Sequence, residues 1–583
     1  MSDAPASPLP EPTALRLCVG LTAHRDLSPA QEPALRAQVR AFLLGLRAQF
    51  PDLPLRLISA LADGGDQLVA EEALALGIEL LVPLPMAQEE YERDFAAPEA
   101  LERFRGLRAQ AARVRVLPLA AGNTEAAVRE RGEARNRQYA QLGMFISSHC
   151  QVLLALWDGR ASEATGGTAQ VVEFHLRNEM PGFTVDQAAP NLLADDESDL
   201  VFHVPCIRQL APGAGEAPPS LPGPRWLTAD GDVDGAAPVP PHYRHVFGQM
   251  QEFNRDLRRH AAASATTGNS LLGGAPAAPS PAVAEVDRLF RAADWLAVHF
   301  RRRVRLSLMC THALAALMGL SFILFSDIEA NRVYLLAFLG LFALGAAVKL
   351  VGRARGWQRK YLDYRGLAEG LRVQLYWRLA GVETPPNSSL GYDSFLQKQD
   401  VDLSWIRHAM RSSSLLRDAP GEGADGWLSW VVAHWVGAHG GAGGQLAYYR
   451  DGTRRRERAY RTTSALGAAA LAGGLLGALA LLLGGARIGA ATQQQLLVAM
   501  GLLPLLAGIR EAYSYKKADK ELIKQFRFMT RLFASCRQRL DRAGDARQVR
   551  QLLRALGCAC LEEHAEWILL HRDRPLAAQA MSG

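Results

Sequence analysis

From Leu15 to about Arg208, short apolar runs alternate with stretches whose apolar positions recur at helical spacing, the pattern of a parallel sheet with crossover helices. The runs Leu15–Leu21, Leu55–Leu61, Ile78–Leu84, Val114–Leu119 and Val152–Leu156 read as strands, with Val201–Ile207 as a sixth. Between them Pro29–Phe50, Gln67–Leu76, Pro98–Ala112, Asn136–His149 and Ala169–Arg177 read as helices, each connection short enough for a right-handed crossover. The fold class predicted for residues 15–210 is an α/β doubly wound parallel sheet, preceded by a disordered tail over 1–14.

Ala211–Pro241 and Ala261–Pro281 are rich in Ala, Pro, Gly and Ser and read as mobile linkers around a helix near His245–Arg259, so 211–282 is expected to be a tether. Four nearly charge-free windows follow. About 20 residues cross a hydrocarbon core of ~30 Å, and Leu306–Phe325, Val333–Val351 and Ser464–Leu483 meet that length. The fourth window, 495–509, is shorter and contains Pro504, so it spans by recruiting Ile488–Gln495 or through a thinned bilayer. An α-helical membrane region with four transmembrane helices is predicted. Basic blocks at Arg301–Arg305 and Arg353–Lys360 bracket the first pair, and Arg450–Arg461 and Arg510–Lys524 the second. The positive-inside rule then puts the ends of both hairpins, and both chain termini, in the cytoplasm.

The membrane half repeats itself. After the first hairpin Trp357, Tyr361, Tyr364, Ala368, Leu371, Leu375 and Leu379 fall at spacings of about four and three, and after the second Leu522, Phe526, Met529, Phe533, Cys536 and Leu540 do the same. Each unit is a basic pre-helix, a two-helix hairpin and a long amphipathic helix, over 283–400 and 450–575, joined by a helical region at 401–449 and followed by a tail at 576–583. Such stripes bury themselves against partner helices, which predicts a homo-oligomer.

Composition changes this picture little. At roughly 150 residues per domain the chain makes about four domain-sized units, and with 49% hydrophobic and 21% charged residues it is not wholly disordered. The net charge of +6 sits largely in the Arg blocks beside the apolar windows, so no direct nucleic-acid partner is expected. The seven cysteines (18, 150, 206, 310, 536, 558 and 560) lack the spacing of a disulfide framework or zinc knuckle, which predicts a reducing environment. Met1–Pro12 is acidic and Pro-rich, without the features of a signal peptide.

In a doubly wound sheet, ligands bind beyond the carboxyl ends of the strands. After the first strand comes Gly20-Leu-Thr22-Ala-His24-Arg25, whose small residues let backbone N–H groups approach an anion while His24 and Arg25 supply charge. After the second, Ser59-Ala-Leu-Ala-Asp-Gly-Gly65-Asp66 opens a helix. After the fifth come Trp157-Asp158-Gly159 and Thr165-Gly166-Gly167-Thr168, which opens another. A lone Gly-Gly is commonly a turn and an Asp at a helix start an N-cap. Three such loops on one sheet edge predict a phosphate or ribose cradle, because glycine at successive strand ends is costly unless something approaches closely.

As a set, VGLTAHRDL, ISALADGGDQLVAEEALALG, ELLVPLP with Tyr91 to Phe95, and CQVLLALWDG followed by GGTAQVVE resemble the SLOG superfamily. This is the Rossmann-like group shared by the DNA-processing Smf/DprA proteins, the LOG phosphoribohydrolases and the N-terminal regions of some channel proteins. The resemblance covers about residues 15–208. It implies a nucleotide- or NAD-derived ligand, with no resident cofactor, held by Gly20, Thr22, His24, Arg25, Ser59, Gly65, Asp66, Asp158, Gly159, Gly166, Gly167 and Thr168. LOG enzymes carry a PGGxGTxxE loop with a catalytic Glu. Here Thr165-Gly-Gly-Thr168 lacks the leading proline and the second GT, and Glu173 lies five residues beyond Thr168 instead of three. On a helix that shift turns the carboxylate about 200° from the expected face, at about 100° per residue. A sensor that binds without cleaving is expected, a membrane-anchored LOG-like phosphoribohydrolase or other nucleotide hydrolase is the alternative, and no catalytic residue is assigned.

The membrane half is similar to the SLATT family, two-transmembrane effector modules of bacterial conflict systems. The matching stretches are YLDYRGLAEGLR at 361–372, the hairpins, and EHAEWILLHRDRP at 563–575. That similarity covers about 283–575 and implies a pore-forming effector in antiviral (anti-phage) defence, oligomeric and multi-pass in the plasma (inner) membrane of a bacterium. No metal is assigned, since Cys558, Cys560 and His564 fit the buried side of a helix over 545–570. His312 in the first span lines a pore or bonds a neighbouring helix, and Gly473 and Gly477 form a GxxxG that reads as close packing.

Overall fold

Parallel strands and crossover helices alternate through the N-terminal part of the computed structural model, which describes residues 14–162, 165–177, 180, 200–209, 222–228, 231–382, 403–414, 425–484 and 487–572. The chain divides into two units: 1–271 with 279–292 and 383–419, and 272–278 with 293–382 and 420–583.

The strands of the first unit are β1 (Leu17–Ala23), β2 (Leu55–Ile58), β3 (Glu79–Leu84), β4 (Arg113–Val116), β5 (Val152–Trp157), β6 (Val201–Pro205), β7 (Arg225–Thr228) and β8 (Gly231–Asp234). They form one mixed sheet in the order β4-β3-β2-β1-β5-β6-β7-β8, parallel from β4 through β6, with β7 and β8 antiparallel. The order reverses between β1 and β5. The accompanying helices are α1 (Glu32–Gln49), α2 (Gly65–Ala75), α3 (Gln88–Glu92), α4 (Pro98–Ala109), α5 (Glu125–Arg129), α6 (Glu133–His149), α7 (Thr168–Arg177), α8 (Pro241–Arg259) and α9 (Ala261–Thr267).

Strand alternation explains how both faces are covered. Cys18, Ile58, Leu81, Leu153 and Val201 pack with Ile146 of α6, with Cys150 just after it, and with Val171 and Val172 of α7. The next residue along each strand points to the opposite face, where Phe42 of α1 stacks on Phe202 at 4.2 Å. Gly20, expected at the ligand, lies inside β1: a Cβ there would meet Cys150 Sγ at 2.7 Å and Ile146 at 2.8 Å. Its missing side chain lets α6 approach the sheet.

The segment read as a tether is largely built into this unit, although 210–221 lies outside the described residues. β7 and β8 extend the sheet, with the Trp226 indole edge-on to Phe202 at 4.7 Å and donating Nε1–H to Ala237 O at 3.1 Å. On α8, Asn254 accepts from Leu15 N at 2.8 Å and donates to the carbonyls of Leu15 and Asp52 at 2.9 Å, while Phe247 meets Phe50 edge-on at 5.5 Å. The unit therefore extends past the predicted boundary at 210. Four-residue strands in a Pro- and Gly-rich stretch carry too few apolar positions for a period to register.

The second unit is helical. The helices after α9 are α10 (Pro281–Asp327, its first turns to Ala292 in the first unit), α11 (Arg332–Ala354), α12 (Trp357–Leu379), α13 (Ser404–Ser414, in the first unit), α14 (Asp425–Val431), α15 (Gly444–Gly484), α16 (Ala490–Lys516), α17 (Asp519–Leu540) and α18 (Ala546–Arg572). Among the described residues four helices are long and apolar enough to cross a membrane: α10, α11, α15 and α16 carry windows of mean hydropathy 2.0, 2.2, 2.2 and 1.5, of which 6%, 0%, 11% and 0% is buried. Side chains such as Leu336, Leu475 and Leu482 stand open on these windows. Apolar surface on this scale suits hydrocarbon and not water. The fourth, expected to be short, is one continuous helix of 27 residues around Pro504, about 40 Å at 1.5 Å per residue. Gly474 of α15 makes room for that proline: a Cβ there would sit 2.6 Å from Pro504 Cγ. Gly473 and Gly477 likewise face Leu503 and Leu496 of α16, the close packing read from their spacing.

The internal repeat has a backbone counterpart. A left-handed residue joins each second span to its long helix: Gly356 at φ +61° between α11 and α12, and Ala518 at φ +56° between α16 and α17. The stripe on α17 is buried as expected at Phe526, Met529, Phe533, Cys536 and Leu540, with Ile523 buried beside it. Its cover comes from the same chain, for Tyr449 of α15 lies 5.2 Å from Phe526 and 5.7 Å from Phe533. Instead of one stripe, α12 is buried around most of its circumference, Asp363, Glu369 and Arg372 included. The carboxylates are paired: Glu369 with Arg372 at 2.6 Å and Arg365 at 2.5 Å, and Asp363 with Arg359 at 3.4 Å and Arg572 at 3.3 Å. Trp377 of α12 donates Nε1–H to Leu553 O at 2.9 Å and lies over Gly557, where a Cβ would fall 2.4 Å from the indole. Gly557→Val is expected to lower stability by about 1–3 kcal/mol through overpacking, read as a lower midpoint in thermal unfolding of the detergent-solubilised chain.

Candidate functional site at the strand-order reversal

The open edge of the sheet beyond β1, β2 and β5 gathers most of the residues singled out above. His24 N–H donates to Leu156 O at 3.1 Å, and His24 Nε2 stands 3.1 Å from Asp158 Oδ1. The loops after β1 and β5 are thereby joined where a parallel sheet opens a crevice. Arg25 extends from this junction, exposed, with its guanidinium 5.1 Å from the centre of the Tyr139 ring. Thr22 is buried at the end of β1. Asp158 accepts from Arg160 N at 3.2 Å, and Gly159 turns the chain at φ +76°.

The loop after β2 is folded by its own side chains. Ser59 Oγ accepts from Leu61 N at 3.0 Å and donates to Asp66 Oδ2 at 3.2 Å, and Ala62 N–H donates to the same oxygen at 3.4 Å. Leu61, fully buried, is held at φ +58°. Burial drives the Asp66 carboxyl up to about 7, opposed by the Ala62 and Ser59 hydrogen bonds and by the charge of Arg25. At neutral pH this group keeps its proton about half the time, so it serves as donor or acceptor.

Several glycines here answer to protein contacts. A Cβ on Gly64 would lie 2.1 Å from Arg25 O, one on Gly65 2.5 Å from Ala23 Cβ, and one on Gly166 2.6 Å from Ala140 N. Gly65 N–H also donates to His24 O at 3.1 Å. The glycine-rich strand ends thus let the loops press on one another and on α6, a use that spacing alone does not separate from close approach by a ligand. Gly166 N–H donates to Gln170 Oε1 at 2.9 Å, and Gly167 and Thr168 lead into the first turn of α7. Glu173 sits one turn further on, bonded to Arg177 at 2.6 Å.

A second group of polar side chains borders Arg25: Tyr91 and Asp94 belong to the stretch quoted above, whereas Arg135 and Tyr139 were not singled out in the sequence. Tyr139 of α6 donates to Asp94, which also accepts from Arg135 at 2.7 Å, and Tyr91 donates to Ala60 O at 3.2 Å. Burial, against the pull of Arg25, lifts the Tyr139 phenol to about 12, so it stays a donor. Arg135 and Tyr139 stand four apart, one helical turn, near the start of α6, and that spacing is the signal the sequence offers. The sheet edge therefore presents the exposed Arg25 and the N-terminus of α7 at Thr168, while Ser59 and Asp66 are buried beneath it and Gly65 N–H is bonded to His24 O. Arg25 and that helix N-terminus suit a phosphate.

The other candidates have local roles. His312 Nδ1 lies 2.8 Å from Leu308 O of its own helix, and its ring meets Tyr513 of α16 edge-on at 5.4 Å. Cys560 and His564 are buried on α18, and among the described residues no three His, Cys, Asp or Glu side chains come together as a metal site. No protein-family model matches the chain, and no curated protein matches it.

Proposed function

We propose that this chain is a membrane-bound sensor of a nucleotide- or NAD-derived small molecule, and that binding changes membrane permeability. The observation that carries the proposal is the convergence of Arg25, the His24–Asp158 pair and the α7 N-terminus where the strand order reverses, in a chain with four membrane-length apolar helices. Arg25 and the opening turn of α7 take the phosphate, and the buried Ser59–Asp66 pair holds the loop after β2 in place beneath it. On this proposal the sheet is a SLOG-type domain and the hairpins are SLATT-type modules, with hairpin ends and both termini on the cytoplasmic side of a bacterial plasma membrane. The assembly is a homo-oligomer that acts in anti-phage defence. Because both apolar stripes are covered within one chain, copies meet through other surfaces, the open faces of the spans included. A ligand shifts the closed-to-open balance only by its differential affinity for the two states, so gating requires the crevice to differ between them.

The second reading, a membrane-anchored nucleotide N-glycosidic hydrolase, draws on Asp66, whose carboxyl near 7 suits proton transfer at neutral pH. Against it stands Glu173, half exposed and bonded to Arg177 on the outer side of α7. Incubation of the full-length protein with AMP and with NAD separates the two. The sensor releases no base from AMP and no nicotinamide from NAD, and Glu173→Gln changes nothing. Base release abolished by Glu173→Gln or Asp66→Asn would select the hydrolase.

A further inference from the structure

The second unit holds a basic groove away from the spans. It lies between α15 and α17, has a volume of about 470 Å³, and is lined by Arg450, Thr453, Arg454, Arg527, Thr530 and Arg531. Its size falls within the ~300–1,000 Å³ typical of small-molecule sites. The helices run antiparallel there, with Thr453 and Thr530 facing each other at 3.5 Å and Glu457 paired with Arg527 at 2.6 Å. Arg450 is paired with Asp451 at 3.4 Å. Arg454 and Arg531 are exposed, and among the described residues neither has a carboxylate within 4.0 Å. Four guanidinium groups against two carboxylates leave two uncompensated charges at one place, held there by the Tyr449–Phe526 and Tyr449–Phe533 ring contacts. Uncompensated arginines in a fixed fork are the side chains best matched to phosphate oxygens.

Position discriminates between a lipid headgroup and a soluble ligand. Arg454 precedes Leu466, an open apolar residue of the α15 span, by twelve residues, roughly 18 Å along a helix at 1.5 Å per residue. The headgroup layer is only about 5–8 Å thick on each side of the hydrocarbon. The groove therefore opens to water beyond the lipid phosphates. We propose that it is a second binding site, separate from the sheet crevice, for a soluble small molecule carrying two or more phosphates.

The test is calorimetry on the full-length chain in phosphatidylcholine nanodiscs, with tripolyphosphate and inorganic phosphate as probes. Tripolyphosphate is expected to bind at least about tenfold more tightly than inorganic phosphate. The Arg454→Ala/Arg531→Ala double variant should weaken it by about 30-fold or more with unchanged thermal unfolding, and Arg25→Ala should leave it unchanged. Equal affinity in the double variant would overturn the proposal. So would loss on Arg25→Ala, which assigns the probe to the sheet crevice. Loss of tripolyphosphate binding in discs containing phosphatidylglycerol, with the double variant indifferent to that lipid, would assign the groove to headgroups instead.

Discussion

Leu371→Glu is expected to unfold the helical unit, not merely to loosen an assembly. Leu371 is fully buried on α12, in a helix that already holds Glu369 and Arg372 in a closed ion network. A further carboxylate would have no cation left to meet, because Arg365 is shared between Glu369 and Asp294, and Arg372 lies on Glu369. An unpaired buried charge costs several kcal/mol, and lost apolar burial adds about 2–3 kcal/mol. Against a domain stability of about 5–15 kcal/mol the sum removes most or all of the margin. Expression in membranes followed by limited proteolysis reads this directly: the native chain resists, and the variant is cut throughout α12 and α18. A folded, protease-resistant variant that differs only in forming smaller assemblies would place the α12 stripe at an interface between copies.

Asp66 should impose a pH dependence that Asp66→Asn removes. Burial raises its carboxyl from an ordinary value of 3.8 to about 7, so between these limits the folded state holds a proton that the unfolded chain has lost. The stabilising contribution is complete below about pH 4 and is lost as the pH rises through 7, with a slope of about 1.4 kcal/mol per pH unit in between. Glu563, raised by burial to about 7, acts in the same direction, so the comparison of native chain and variant isolates Asp66. Denaturant unfolding at half-unit steps from pH 4.5 to 7.5 should show the two curves diverging, the native chain losing ground toward neutral pH. Parallel curves would mean that Asp66 is ionised in the folded protein throughout.

The parts legible in the sequence were those with a long period. Six parallel strands and the four apolar helices came from runs that no short-range contact contradicts, and the α17 stripe came from spacing alone. What escaped has a physical reason in each case. The strands β7 and β8 are four residues each, and β8 is exposed along its length. On α12 the apolar spacing marks only part of what is buried, because ion pairing lets Asp363, Glu369 and Arg372 be buried as well. Glycines at strand ends signal close approach without saying by what. Gly20, Gly64, Gly65 and Gly166 are met by Cys150, Arg25, Ala23 and Ala140 of the same chain. The Tyr139–Asp94–Arg135 group joins α6 to the turn after α3, a contact across 45 positions that local pattern does not contain.

Those glycine contacts shift the weight of the ligand proposal onto charge, and onto Arg25 above all, because it is an exposed cation next to the His24–Asp158 pair at the strand-order reversal. Calorimetric titration of the full-length protein in detergent with AMP, ADP-ribose and NAD tests that claim most directly. The proposal predicts that at least one of the three binds, that Arg25→Ala weakens it by about tenfold or more, and that Glu173→Gln leaves it unchanged. Absence of binding by all three, or equal binding in the Arg25→Ala variant, would contradict it.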